Sequence, residues 1–260
     1  MHRSKPDARI HHATLSAVNG QRPIEALAGL VRLAPYLREA GDDEAKAAEL
    51  YLWAGDLAGA LHSTIAFVEV AVRNSLDAQL AEWNTEQVGE LGRYWALRGC
   101  SAPVLYELIG AKRIKFAQES AEKEAHRRPQ GHPRRDALVT HDDVVAQLMF
   151  GAWVTLVVPV SGSPHRQQRL WAEGLNAAFP GVDSSDAGRV KVGRQLERIR
   201  KLRNRVAHHD NLLGVEIEYR LNDMLAVLRA VYPRFPALAM ARSRVRAVAK
   251  DDPRRRWNAT

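Results

Sequence analysis

A chain of 260 residues with 46% apolar side chains is long enough for one large or two small domains and too apolar to remain unfolded. Its one cysteine, Cys100, excludes an internal disulfide and a Cys-x-x-Cys zinc spacing. A formal net charge of +8 leans towards a polyanionic partner, although net charge by itself says little.

Residues 1–20 form a polar, basic segment with no apolar stretch behind it, expected to be flexible. Ile24, Leu27, Leu30 and Leu37 then recur at helical intervals, with Pro35 expected to kink or split the helix. Gly41-Asp42-Asp43 reads as a stop and a restart, glycine ending one helix and an Asp capping the next. From about Glu44 to Trp83 the positions Leu50, Trp53, Leu57, Leu61, Ile65, Val68, Val72, Leu76 and Leu80 predict one long helix. Residues 84–102 are irregular. Pro103 opens a helix to about Glu124, and residues 127–138 read as an exposed loop with four arginines. Thr140 and Asp143 form a capping-box pattern for a helix to about Val158. That helix holds the longest apolar run, residues 148–160, which at 13 residues falls short of the roughly 20 a membrane span needs. After a turn at residues 161–164, a short helix carries Leu170, Trp171 and Leu175. A basic helix capped at Ser184, Ser185 or Asp186 runs to about His208, where Asp210-Asn211 breaks it, and a last long helix spans residues 215–231. Residues 233–260 read as a short helix and a basic tail, disordered from Arg254 onward. With no period-two strands, the expected class is an all-α helical bundle, its main domain at residues 21–232. The expected location is the cytoplasm, with no membrane, metal or cofactor.

The basic helix carries the candidate chemistry. Residues 189–205 hold eight basic side chains against one acid, Glu197, a local net of +7. Charge that dense repels itself unless an anion lies nearby, which points to a polynucleotide. Val192, Leu196, Ile199, Leu202 and Val206 form a narrow stripe for the core. Arg200, Asn204 and His208 are spaced i, i+4, i+8 on one face, while Arg203 lies about 140° from His208 on a regular helix. Convergence of Arg203 and His208 therefore requires the helix to unwind near His208 or two copies to share a site. These residue types suit RNA cleavage. The 2′-hydroxyl of RNA can attack its own phosphate, so the protein needs a group that exchanges a proton near neutral pH, His208, and a fixed cation for the phosphate oxygens, Arg203. Asn204 can orient either. Arg200, Lys201, Arg205 and His209 are candidate RNA contacts. The plainer alternative is that the arginines are solvated, Asn204 is a capping residue and the histidine complements a helix C-terminus.

The string Leu202-Arg203-Asn204-Arg205-Val206-Ala207-His208-His209 resembles the R-x4–6-H motif of HEPN domains, in the form found in Abi-like (abortive infection) proteins. Phe67-Val68-Glu69-Val70-Ala71-Val72-Arg73-Asn74 resembles that family's Glu-x-x-x-Arg-Asn element, and Leu50-Tyr51-Leu52-Trp53 and Phe150-Gly151-Ala152-Trp153 look like further landmarks. The resemblance spans residues 25–232. It implies a HEPN-type bundle with additional helices and, usually, a homodimer whose motif helices meet at a shared cleft. It further implies metal-independent RNA cleavage to a 2′,3′-cyclic phosphate, in phage defence or a toxin–antitoxin system with a protein or RNA antitoxin. Arg203 and His208 are then the motif pair, with Glu69, Arg73 and Asn74 supporting or structural. Residue 210 is Asp where some HEPN toxins carry Tyr. The alternatives are a non-catalytic RNA-binding module, acting as sensor or antitoxin partner, and, more remotely, a DNA-binding helix-turn-helix protein.

Overall fold

The structure, a computed structural model, describes residues 23–89, 91–159, 162 and 164–257. Its regular structure is all-α, with no strand among the described residues. The helices are α1 (Pro23–Ala28), α2 (Leu30–Glu39), α3 (Glu44–Thr85), α4 (Pro103–Leu105), α5 (Ala111–Arg127), α6 (His141–Gln147) and α7 (Phe150–Thr155). They continue with α8 (His165–Glu173), α9 (Asp186–Ala207), α10 (Ile217–Val231), α11 (Phe235–Met240), α12 (Val245–Lys250) and α13 (Arg254–Trp257). A π-helical turn, Tyr106–Gly110, joins α4 to α5, and a 3-10 turn spans Leu175–Ala178. The expected flexible segment at residues 1–20, the last three residues of the basic tail, and Ser161 and Ser163 of the expected turn lie outside the described residues.

The chain divides into two compact units. One comprises the described residues of Met1–Ala60, Arg205–Val215 and Arg244–Thr260, the other those of Leu61–Asn204 and Glu216–Ser243. In the first unit the segment is split at Gly29, whose φ of 74° suits a residue without Cβ, and Pro35, expected to kink or split it, sits inside α2 without splitting it. The restart at Asp43 is as expected, its carboxylate accepting from the Lys46 amide at 3.1 Å. Tyr36 and Tyr51 meet edge to face at 5.2 Å, and the Trp53 indole donates to the Val248 carbonyl at 2.7 Å. The tail from Arg254 is not disordered through Trp257. Arg254 grips Asp252 at 2.7 Å and lies over the Trp53 ring, and Arg256 pairs with Glu49. The neighbouring Asp252 and the distant Glu49, which no local charge count includes, order it.

α3 is long and apolar enough to cross a membrane by length and composition, and its repeating positions Leu50, Leu57, Leu61, Ile65, Val68, Val72, Leu76 and Leu80 are buried within the protein. In the second unit Asn84 is fully buried and ties down the irregular stretch after α3. Its amide donates to the carbonyls of Gly92 (2.7 Å) and Cys100 (2.8 Å) and accepts from the Ala102 amide (3.0 Å). Asp77 receives the Trp95 indole at 2.8 Å and lies 2.9 Å from the His141 ring nitrogen, while Trp95 packs edge to face on Trp153 at 5.9 Å. The helix expected from Thr140 to about Val158 is broken in two. Leu148 and Met149 are extended, an alternation that turns Leu148 and Phe150 inward and leaves Met149 68% exposed.

The Thr140 capping box is present in both directions: the hydroxyl accepts from the Asp143 amide, and the Asp143 carboxylate accepts from the Thr140 amide at 2.9 Å. Partial burial pushes the Asp143 carboxyl up, but the Thr140 amide and hydroxyl and the Arg134 guanidinium at 2.5 Å outweigh it and hold it at about 2. Thr140→Ala and Asp143→Asn should each lower stability by about 1 kcal/mol at pH 7. Because this carboxyl is depressed in the folded state, its contribution is present above pH ~4 and fades as pH falls towards 2. Denaturant titrations across that range should show the Asp143→Asn deficit shrinking; a deficit unchanged at pH 2 would contradict the assignment.

Candidate nucleic-acid interface

α9 buries Val192, Leu196, Ile199, Leu202 and Val206, as the spacing predicts, and the side chains flanking that stripe find partners. Arg189, only 4% exposed, donates to Asp186 at 2.6 Å and to the Val157 carbonyl at 2.7 Å. The Arg198 fork clamps Asp223 of α10 at 2.8 and 2.5 Å, and Arg220 adds a contact at 2.9 Å. Arg200 makes two bonds to Glu197, at 2.8 and 2.7 Å, and Lys201 lies 3.9 Å from the same carboxylate. Arg203 donates through Nε to Glu69 of α3 at 3.0 Å. Arg205 lies 3.2 Å from Asp210 and donates to the Asn211 carbonyl. The Arg200 bonds hold the Glu197 carboxyl below its ordinary range, and the Asp223 bonds push Arg198 above its own. The expectation of an uncompensated +7 helix is thereby corrected. Four of the compensating acids, Glu69, Asp186, Asp210 and Asp223, lie outside residues 189–205. The exposed Lys191 and Arg194 have no ion pair among the described residues.

Glu69 and Arg73 share a face of α3, but the carboxylate engages Arg203 rather than Arg73, which has no partner among the described residues. Asn74 is exposed and lines a separate apolar groove between α3, α10 and α11.

Three of the candidate residues come together. Arg200, Arg203 and Asn204 of α9 form one wall of a groove of about 340 Å³. Lys112, Arg113 and Phe116 of α5 form another, and Gln147 to Ala152, at the break between α6 and α7, line the rest. Among the described residues Lys112 has no ion pair, and Arg113 donates only to the Ile109 carbonyl at 3.1 Å. Arg203 is positioned by one bond through Nε, so its two Nη groups retain donors for a phosphate. The arrangement offers cations and an amide to an anion, with exposed apolar surface on Phe116 and Met149 for a flat ring.

Lys201 is exposed, and Arg205 is drawn into its own turn by Asp210 and Asn211. His208 and His209 are exposed and are not among the groove's lining residues. The helix ends at Ala207, one residue before the expected end. His209 adopts φ 51°, its amide donates to Val206 at 3.2 Å, and the Asp210 amide donates to Arg205 at 2.9 Å. This pair of bonds is a Schellman cap with histidine where glycine is usual. No group of three or more His, Cys, Asp or Glu side chains suited to a metal exists among the described residues.

Comparison with protein-family models, curated proteins and solved structures finds no match for this chain. The site therefore rests on its own geometry.

Lys112, Arg113, Phe116, Gln147 and Met149 were not anticipated as site residues. One signal was available: Phe116 lies off the Ile114, Ala117, Ala121, Ala125 stripe that α5 buries. Met149 carried none, because its exposure depends on the helix break.

His209→Gly should raise stability by about 1 kcal/mol, since glycine relieves the left-handed backbone and keeps both cap bonds. Thermal denaturation reads it directly; destabilisation would show that the His209 side chain holds the turn.

Proposed function

We propose that the protein is a metal-independent endoribonuclease of the HEPN type, acting in phage defence or as the toxin of a toxin–antitoxin pair. The observation that carries this reading is the open groove in which Arg203, held by Glu69, stands beside Asn204 and Arg200 with guanidinium donors unspent. In the proposed reaction the 2′-hydroxyl of RNA attacks the adjacent phosphorus and the 5′-oxygen leaves, giving a 2′,3′-cyclic phosphate and a 5′-hydroxyl. Arg203 neutralises charge building on the phosphate oxygens, Asn204 orients the phosphate, and His208 exchanges the proton. The reaction needs imidazole and guanidinium at one phosphate, and the proposed homodimer supplies this by letting Arg203 of one copy and the partner subunit's His208 serve the same bond.

One observation favours a second reading, a non-catalytic RNA-binding module serving as a sensor or antitoxin partner: the groove's lining includes no imidazole. The two readings differ in their products. Purified wild-type protein incubated with total RNA should yield fragments with cyclic phosphate ends, and Arg203→Ala and His208→Ala should each abolish them with circular dichroism unchanged. Cleavage that persists in either purified variant rejects the catalytic assignment, and salt-sensitive binding without product favours the second reading.

A further inference from the structure

We infer that the α5 wall of the groove is a base-stacking subsite for single-stranded RNA, in which Phe116 takes the face of one unpaired base and Lys112 and Arg113 take the neighbouring phosphates. The inference rests on the reading of the protein as one that handles RNA, and it assigns a role to residues outside the Arg-Asn-x-x-x-His helix.

Phe116 is 65% exposed, although α5 has a complete buried stripe without it in Ile114, Ala117, Ala121 and Ala125. Lys112 and Arg113 stand four and three residues before it, on the same face of the helix. The ring is therefore flanked by two cations that no carboxylate of the described residues neutralises. Across the groove the arginines are restrained, Arg200 by Glu197 and Arg203 by Glu69. Within the groove, the least compensated charge thus sits beside the aromatic ring rather than on α9. A ligand matching both is a polyanion carrying flat apolar faces at each backbone step, as an unpaired nucleic acid strand does. A duplex keeps its base faces within its own stack, and a space of about 340 Å³ does not admit one. An acidic protein segment would satisfy the cations but leave the ring without a matching surface.

The test uses the full chain and a short fluorescent 2′-O-methyl RNA, which binds but cannot cleave itself, in fluorescence anisotropy at fixed salt. Phe116→Ala should weaken binding about tenfold or more, Phe116→Trp should restore it with added quenching of indole emission, and neither should change affinity for inorganic polyphosphate. The Lys112→Ala/Arg113→Ala double variant should weaken both ligands and reduce the salt slope by about 1.4. The subsite is overturned if Phe116→Ala binds RNA like the wild type, if RNA and polyphosphate are lost together and Phe116→Trp restores neither, or if polyglutamate binds more tightly than RNA and depends on Phe116. If Phe116→Ala leaves affinity unchanged while Arg203→Ala abolishes cleavage, the subsite alone falls. Phe116-dependent binding by a protein that makes no product supports the subsite and removes the catalytic reading. If the wild type binds no RNA, both fall.

Discussion

Burying Val192, Leu196, Ile199 and Leu202 draws the arginines on either side of that stripe against the protein, and a guanidinium partly removed from water is costly without an anion beside it. Around α9 that requirement is met four times over residues 186–204: Asp186 with Arg189, Asp223 with Arg198, Glu197 with Arg200, and Glu69 with Arg203. Two of these pairs join α9 to another helix, α10 through Asp223 and α3 through Glu69. Electrostatic pairing and apolar packing therefore position the same helix. Asp223, 8% exposed between Arg198 and Arg220, is the most enclosed of these acids.

The pairing also decides what remains for a ligand. An arginine that spends its whole fork on a carboxylate has little to offer, as with Arg198. Arg203 spends only Nε, so Glu69 fixes its position while leaving the outward nitrogens available. Lys112 and Arg113 reach the same groove from α5 without acids of their own, and the break at Leu148 and Met149 provides the remaining lining. Cations with unspent donors thus gather in a short groove, and Lys191 and Arg194 of α9 remain unpaired beyond it among the described residues.

Most of the fold was legible because helical periodicity is a local property. The stripe from Leu50 to Leu80 marks α3, and the reciprocal bonds of Thr140 and Asp143 were implied by two residues three apart. Where the reading failed, the cause lay at a distance or in backbone geometry. Arg254 to Trp257 looks like a solvated tail until Trp53 and Glu49 are brought beside it. Gly29 rather than Pro35 breaks the first helical stretch, because a positive φ interrupts a helix outright while a proline can be carried inside one. Of the candidate site, Arg200, Arg203 and Asn204 share a groove as their helical spacing allows, but the α5 wall belongs to a segment some 90 residues earlier that no local motif connects to them.

The strength with which the groove holds a polyanion depends on how much of its basic charge is free. The direct measurement is the slope of log affinity against log salt for a single-stranded RNA, which is about −0.7 for each phosphate contact. Three groove cations with unspent donors, Lys112, Arg113 and Arg203, predict a slope near −2. A slope of about −5 or steeper would require seven or more cations acting at once, and would mean that the acids around α9 do not neutralise the helix as described.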